Sequence, residues 1–136
     1  MTSIGKIDQK GDALVVEFGR LLPTDACEVL STLIASPRTR QIQFVGCKDS
    51  VDEIKAILRR RPKSVVSVVF RDTVVCLRLT RFVAKMLRSG TEISEVSFDN
   101  VGFTSTKSLG LLAGACQAQD SVYKMEISRS TFSRGD

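Results

Sequence analysis

The chain has 136 residues, 43% of them hydrophobic, and 20 basic against 15 acidic side chains give it a net charge of +5. That length fits one domain, the apolar content can build a core without a metal or disulfides, and the composition is not that of a disordered chain. Histidine is absent, which removes Ser–His and Cys–His nucleophiles; no apolar run approaches the roughly 18 residues of a membrane span, and residues 1–8 lack the apolar core of a secretory signal.

Residues 1–12 read as an N-terminal cap. Ile4 and Ile7 suit a short strand, and the turn formers between Asp8 and Asp12 lead into a second strand over 13–18. A hairpin there would cover the first edge of a sheet. A helix follows Pro23, with Thr24 or Asp25 as its cap and Val29, Leu30, Leu33 and Ile34 inward; Ser36-Pro37 stops it. Ser50-x-x-Glu53 has the capping-box spacing and opens a second helix with Ile54, Ile57 and Leu58 inward, ended by Pro62. The third helix carries Leu79, Phe82, Val83, Met86 and Leu87 at helical spacing and stops at Ser89-Gly90. The fourth starts near 104–106 and turns Leu109, Leu112, Ala113 and Cys116 inward. A last strand over 122–127 precedes the tail, 133–136.

One frame, apolar-x-x-apolar-x-apolar, recurs at Ala13/Val16/Phe18, Thr39/Ile42/Phe44, Val65/Val68/Phe70, Ile93/Val96/Phe98 and Val122/Met125/Ile127. Its third position steps along the chain by 26, 26, 28 and 29 residues, the signature of a structural repeat. Cys47 stands three residues after Phe44, and Val75, Phe103 and Phe132 each stand five residues after a frame end.

On these residues the chain resembles a leucine-rich-repeat protein of the ribonuclease-inhibitor type over 13–132. That family repeats an L-x-x-L-x-L strand, an asparagine or cysteine, and a helix. The chain departs from it in carrying Val, Ile and Phe at the strand positions, and Leu21, Thr73, Val101 and Ser130 where the asparagine belongs. The resemblance implies an α/β solenoid of about 4.5 strand-loop-helix repeats, with a parallel sheet on the concave side and helices on the convex side. The alternative is an open α/β sheet, because 98–116 also resembles in part the strand-to-helix segment of anti-sigma-factor-antagonist (STAS) domains. Their phosphorylated serine follows an aspartate, which Ser105 lacks; Asp49-Ser50 has the pair without the rest of the motif.

No phosphate-cradling glycine loop is present, and Gly110 to Gly114 lies in an apolar helix where small residues let neighbouring helices approach. Cys27, Cys47, Cys76 and Cys116 are widely spaced, which speaks against zinc and for thiols in a reducing compartment. No cofactor, metal or enzymatic activity is expected. The basicity is local: residues 51–92 hold ten basic and four acidic side chains, the other two thirds balance. Arg38, Arg40, Arg59, Arg60, Arg61, Lys63 and Arg88 would line up as a ridge of helix ends if the units stack, with Arg78, Arg81 and Lys85 extending it, and a ridge of that sign meets RNA phosphates or an acidic protein.

The second candidate surface is the concave face, to which strand alternation assigns Val15, Glu17, Gln41, Gln43, Val45, Ser67, Val69, Arg71, Glu95, Ser97, Asp99, Lys124 and Glu126. Three valines beside an acidic corner suggest a protein-binding face. The repeats of the resembled family mostly mediate protein–protein contacts. The expected function is therefore a non-catalytic interaction module, a small scaffold or adaptor subunit of a larger intracellular assembly in cytoplasm, nucleus or mitochondrion. It would bind through the concave face, the C-terminal strand edge, or both. The alternatives are an RNA-contacting subunit of a ribonucleoprotein and a STAS-like regulator switched at Ser50 or Ser105.

Overall fold

The structure, a computed structural model, describes residues 5–89, 92–118 and 124–132. Along the chain run β1 (Lys6–Lys10), β2 (Ala13–Glu17), α1 (Pro23–Ala35), β3 (Gln41–Val45), α2 (Val51–Arg60), β4 (Ser67–Arg71), β5 (Val74–Val75), α3 (Leu77–Arg88), β6 (Glu95–Asp99), β7 (Gly102–Phe103), α4 (Lys107–Ala118), β8 (Lys124–Ser128) and β9 (Thr131–Phe132). The chain is α/β, with a mostly parallel sheet, four helices and no closed barrel among the described residues. The main sheet has the order β1-β2-β3-β4-β6-β8. Only the β1–β2 hairpin is antiparallel; every later pair is parallel. The order never reverses, so the sheet lacks the switch point at which doubly wound α/β sheets bind their ligands.

The packed face of this sheet is built from Leu14 and Val16, Ile42 and Phe44, Val68 and Phe70, Val96 and Phe98, in mutual register. All eight are fully buried and share one core with the inward side chains of the four helices. The rings of Phe44, Phe70 and Phe98 stack at 5.5 and 5.3 Å between centroids, one ring per repeat. The first repeat sits two residues earlier than the frame predicted: Val16, not Phe18, pairs with Phe44. Ala13 to Val16 is an unbroken apolar run, and such a run carries the face of a strand but not its register. Phe18 instead lies beneath the start of the cap, where a Cβ on Gly5 would fall 1.8 Å from its ring. Ile4 lies outside the described residues.

The helix ends differ from the sequence reading. Pro23 is the first residue of α1, and Asp25, in its first turn, accepts the Leu22 backbone N–H at 2.7 Å. Ser50 precedes α2 without capping it. Its hydroxyl accepts the Leu21 N–H at 2.8 Å and donates to the Lys48 carbonyl at 2.7 Å, so it ties one repeat to the next. Ile34 and Leu109, expected inside, are 71% and 49% exposed, and Ala113 is exposed as well. Mixed apolar composition around α1 and α4 blurs their faces. The buried α4 positions are Ser108, Leu112 and Ala115, and the Ser108 hydroxyl meets that of Thr80 on α3 at 3.0 Å. A Cβ on Gly114 would stand 3.2 Å from Nη2 at the flexible end of the exposed Arg88, which can move aside, and Gly110 faces open space, so helix packing demands neither glycine. Gly90 and Val122 lie outside the described residues, as do Tyr123 and the tail 133–136.

The loops repeat as faithfully as the strands. Two residues past each frame end, Gly46, Asp72, Asn100 and Arg129 have φ between 52° and 65°. Glycine, asparagine and aspartate tolerate that left-handed turn best. The backbone N–H groups of Gly46, Asp72 and Asn100 donate to the carbonyls of Arg71, Asp99 and Ser128 at 2.9–3.1 Å. One residue further, small side chains replace the expected asparagine. The Cys47 thiol reaches the Val16 carbonyl at 3.8 Å, Thr73 donates to the Cys47 carbonyl, and Ser130 accepts the Val101 N–H at 3.0 Å. Then β5, β7 and β9 form a second, three-stranded parallel sheet, which places Phe132 against Phe103 at 4.6 Å.

Candidate functional site

The face of the main sheet turned away from the helices, the open face, carries every second strand residue. Register sets three rows across β2, β3, β4, β6 and β8. The first is Ala13, Gln41, Ser67, Glu95, Lys124. The second is Val15, Gln43, Val69, Ser97, Glu126. The third is Glu17, Val45, Arg71, Asp99, Ser128. All thirteen residues assigned to this face by alternation lie on it, although the shifted first repeat sets Val15 beside Gln43 and Glu17 beside Val45.

The apolar patch expected there does not form. Val15 and Val69 are 5% and 7% exposed, and only Val45 is half-exposed. Val15 stands between Asp8 and Gln43, Val69 between Gln43 and Ser97, so polar neighbours flank both. What reaches solvent is mainly polar and largely tied together. Gln43 donates to Gln41 at 2.6 Å, Gln41 to Ser67 at 3.0 Å, and Ser67 to Glu95 at 3.5 Å. Lys124 lies 3.4 Å from Glu126.

Asp99 is the hub of the third row. Arg129 donates to both of its oxygens at 2.8 and 2.9 Å, and Ser128 donates at 3.2 Å. The Arg129 hydrogen bonds, with the charges of Arg129 and Arg71, hold the Asp99 carboxyl below its ordinary value. Arg71 stands on the other side with its Nε 3.7 Å from Asp99, beyond hydrogen-bond reach. Its side chain is 43% exposed, and its buried Nε has no hydrogen-bond partner among the described residues. The Asp99–Arg129 pair was not read from the sequence. Its signal was the matched loop position, where arginine replaces Gly46, Asp72 and Asn100 in a turn that disfavours it.

The basic ridge does not form as drawn. Arg61 turns inward, its side chain only 10% exposed, and donates to the Leu58 carbonyl at 2.7 Å while Nη2 lies 3.7 Å from Glu92. Burial lowers its pKa, partly offset by Glu92. Arg38 lines a small recess with Gln9 and Ser36, and Arg40 lines another with Asp12 and Glu95. Arg38 and Arg40 are nonetheless exposed, as are Arg59, Arg60, Lys63 and Arg88, so Arg61 alone of the seven turns inward.

At the C-terminal edge, β8 pairs only with β6 among the described residues, and Met125 and Ile127 are half-buried where their upstream counterparts are fully buried. They line a groove of about 400 Å³ with Leu109, Leu112, Ala113 and Cys116. Phe132, on β9, stacks on Phe103 of the preceding unit. Of the STAS-like serines, Ser50 and Ser105 are each 2% exposed. Among the described residues no group of His, Cys, Asp and Glu could hold a metal, and no helix is long and apolar enough to cross a membrane. Comparison of the chain with family models, curated proteins and solved structures finds no match.

Proposed function

We propose that the chain is a non-catalytic, leucine-rich-repeat-like solenoid that serves as a small scaffold or adaptor subunit of an intracellular assembly. Sequential strand order, repeated left-handed turns and a stacked ring in each of the three central units support the solenoid reading. The partner is a protein, held by the third row of the open face. The observation that carries this is Arg71. It is half-exposed between Val45 and Asp99, its Nε lacks an acceptor, and the nearest carboxylate is already gripped by Arg129. Arginine in such a setting is a favoured anchor in interfaces, where its planar fork pairs with a carboxylate. Gln41, Gln43, Ser67 and Glu95, and Lys124 with Glu126, are cross-linked, so these groups have little side-chain freedom left to lose on binding.

Affinity capture with the full chain, read by mass spectrometry, tests this. Arg71→Glu should lose the captured protein, whereas Arg60→Glu, on α2 but outside the open face, should retain it. Arg61 is left out of the control because its charge reversal would bury a carboxylate beside Glu92. Capture that survives Arg71→Glu and fails in the α2 variant would contradict the proposal. Val69→Asp is a poor probe, because the site is 7% exposed and the change would bury a charge.

A further inference from the structure

The convex helices carry a second surface, built by different residues. On α2, Lys55 and Arg59 are one turn apart, and both stand over the ring of Phe82 on α3, at 5.6 and 5.3 Å from its centroid. Beside them a cleft of about 320 Å³ opens between the two helices. Phe82, half-buried, gives it an apolar wall backed by the buried Leu58 and Met86, and Arg59, Arg61 and Lys85 give it a cationic rim. The Arg61 side chain is nine-tenths buried, and its Nε–H has no acceptor among the described residues. The acid nearest this rim, Glu92, lies 3.7 Å from Arg61, too far to hydrogen-bond, and is 52% exposed. Asp52 is engaged by Arg78 at 3.2 Å. Four cations therefore face one loosely held carboxylate, beside apolar side chains that a bare anion would not use.

We propose that the α2–α3 cleft docks an acidic segment of a partner protein that carries one large apolar side chain. The apolar group packs on Phe82 at the mouth of the cleft, and the flanking carboxylates meet the exposed Arg59 and Lys85, with Arg61 at the cleft's inner end. Excess positive charge steers such a segment in, and the apolar wall distinguishes it from other anions. A nucleic-acid backbone would engage the rim and leave the wall idle, and Phe82 already carries two cations where a base would stack.

The test uses the full chain and three fluorescent probes: a short Glu/Asp peptide centred on one leucine, the same peptide with serine for leucine, and a uridine oligonucleotide. The leucine peptide should bind saturably and about tenfold more tightly than the serine peptide. It should shift the amide resonances of Leu58, Phe82 and Met86. An Arg59→Glu/Lys85→Glu double variant, changed only at exposed positions, should weaken it at least about tenfold, while Arg71→Glu on the open face leaves it unchanged. Equal binding of the two peptides, tighter binding of the oligonucleotide, or no saturable peptide binding would each overturn the proposal.

Discussion

The two faces of the main sheet are made from the same five strands and obey opposite rules. On the packed face the same kind of residue returns: an aliphatic, then Phe44, Phe70 or Phe98 in the three central strands, fully buried, with Leu14 and Val16 in β2 and the half-buried Met125 and Ile127 in β8 as apolar counterparts. On the open face no row repeats. Glu17, Val45, Arg71, Asp99 and Ser128 are five different residues at equivalent positions. Stacking requires each unit to present its neighbour with the shape it received, which fixes the packed face. Nothing in the fold demands a particular open-face side chain, so that face is free to be specified by what it meets.

If this division is right, substitutions on the two faces should separate stability from recognition. The largest stability loss falls on the ring stack. Phe70→Ala should cost about 3–5 kcal/mol in urea unfolding, since a buried phenylalanine loses its transfer energy and leaves a cavity. Phe132→Ala, at the half-buried end of the stack, should cost clearly less. Equal costs would mean that the C-terminal edge is as closed as the centre. Next comes the loop ladder: Thr73→Val strands the buried Cys47 carbonyl and should cost about 1–3 kcal/mol, with Thr73→Ser restoring most of it.

Thiol labelling gives a smaller, qualitative contrast. Cys27 is exposed and should react at once, whereas Cys47, its pKa pushed up to about 11 by burial, should react only on unfolding. Keeping that thiol protonated stabilises the fold below the free-thiol value near ~8.5, and the contribution fades as pH rises towards the folded value. Smallest is the exposed pair on the open face. Asp99 has a depressed pKa, chiefly through Arg129, so its stabilising effect is present above the ordinary carboxylate value, roughly 4, and is lost as pH falls through the depressed one. Arg129→Gln should therefore flatten the acid limb of the stability profile and leave neutral pH little changed.

Much of this was legible in the sequence because the packed face is written by burial. The sequence pattern placed five strands, four helices and the cap hairpin, and alternation put its thirteen open-face residues on the right side, whereas Ala13, which the frame set inward, shares the first open-face row with Gln41. Register failed once, in the unbroken apolar run Ala13 to Val16, where several alignments bury equally well. Helix faces failed at Ile34, Leu109 and Ala113, where apolar residues continue around the helix. The candidate sites were less legible for a different reason. Whether Val69 is exposed, whether Arg61 points in or out, and whether Asp99 prefers Arg129 to Arg71 depend on neighbours one repeat away. Those neighbours lie 26–32 residues off in the chain, as the Thr73–Cys47 and Ser130–Phe98 contacts show, beyond any local pattern.

The most direct test sets stability and capture side by side in one variant. Arg71→Glu sets a second carboxylate opposite Asp99 and should cost up to about 1 kcal/mol, yet still fold and lose the protein that the unsubstituted chain captures. An Arg71→Glu chain that keeps its partner, or that loses it only because it no longer folds, would contradict the assignment of recognition to the open face.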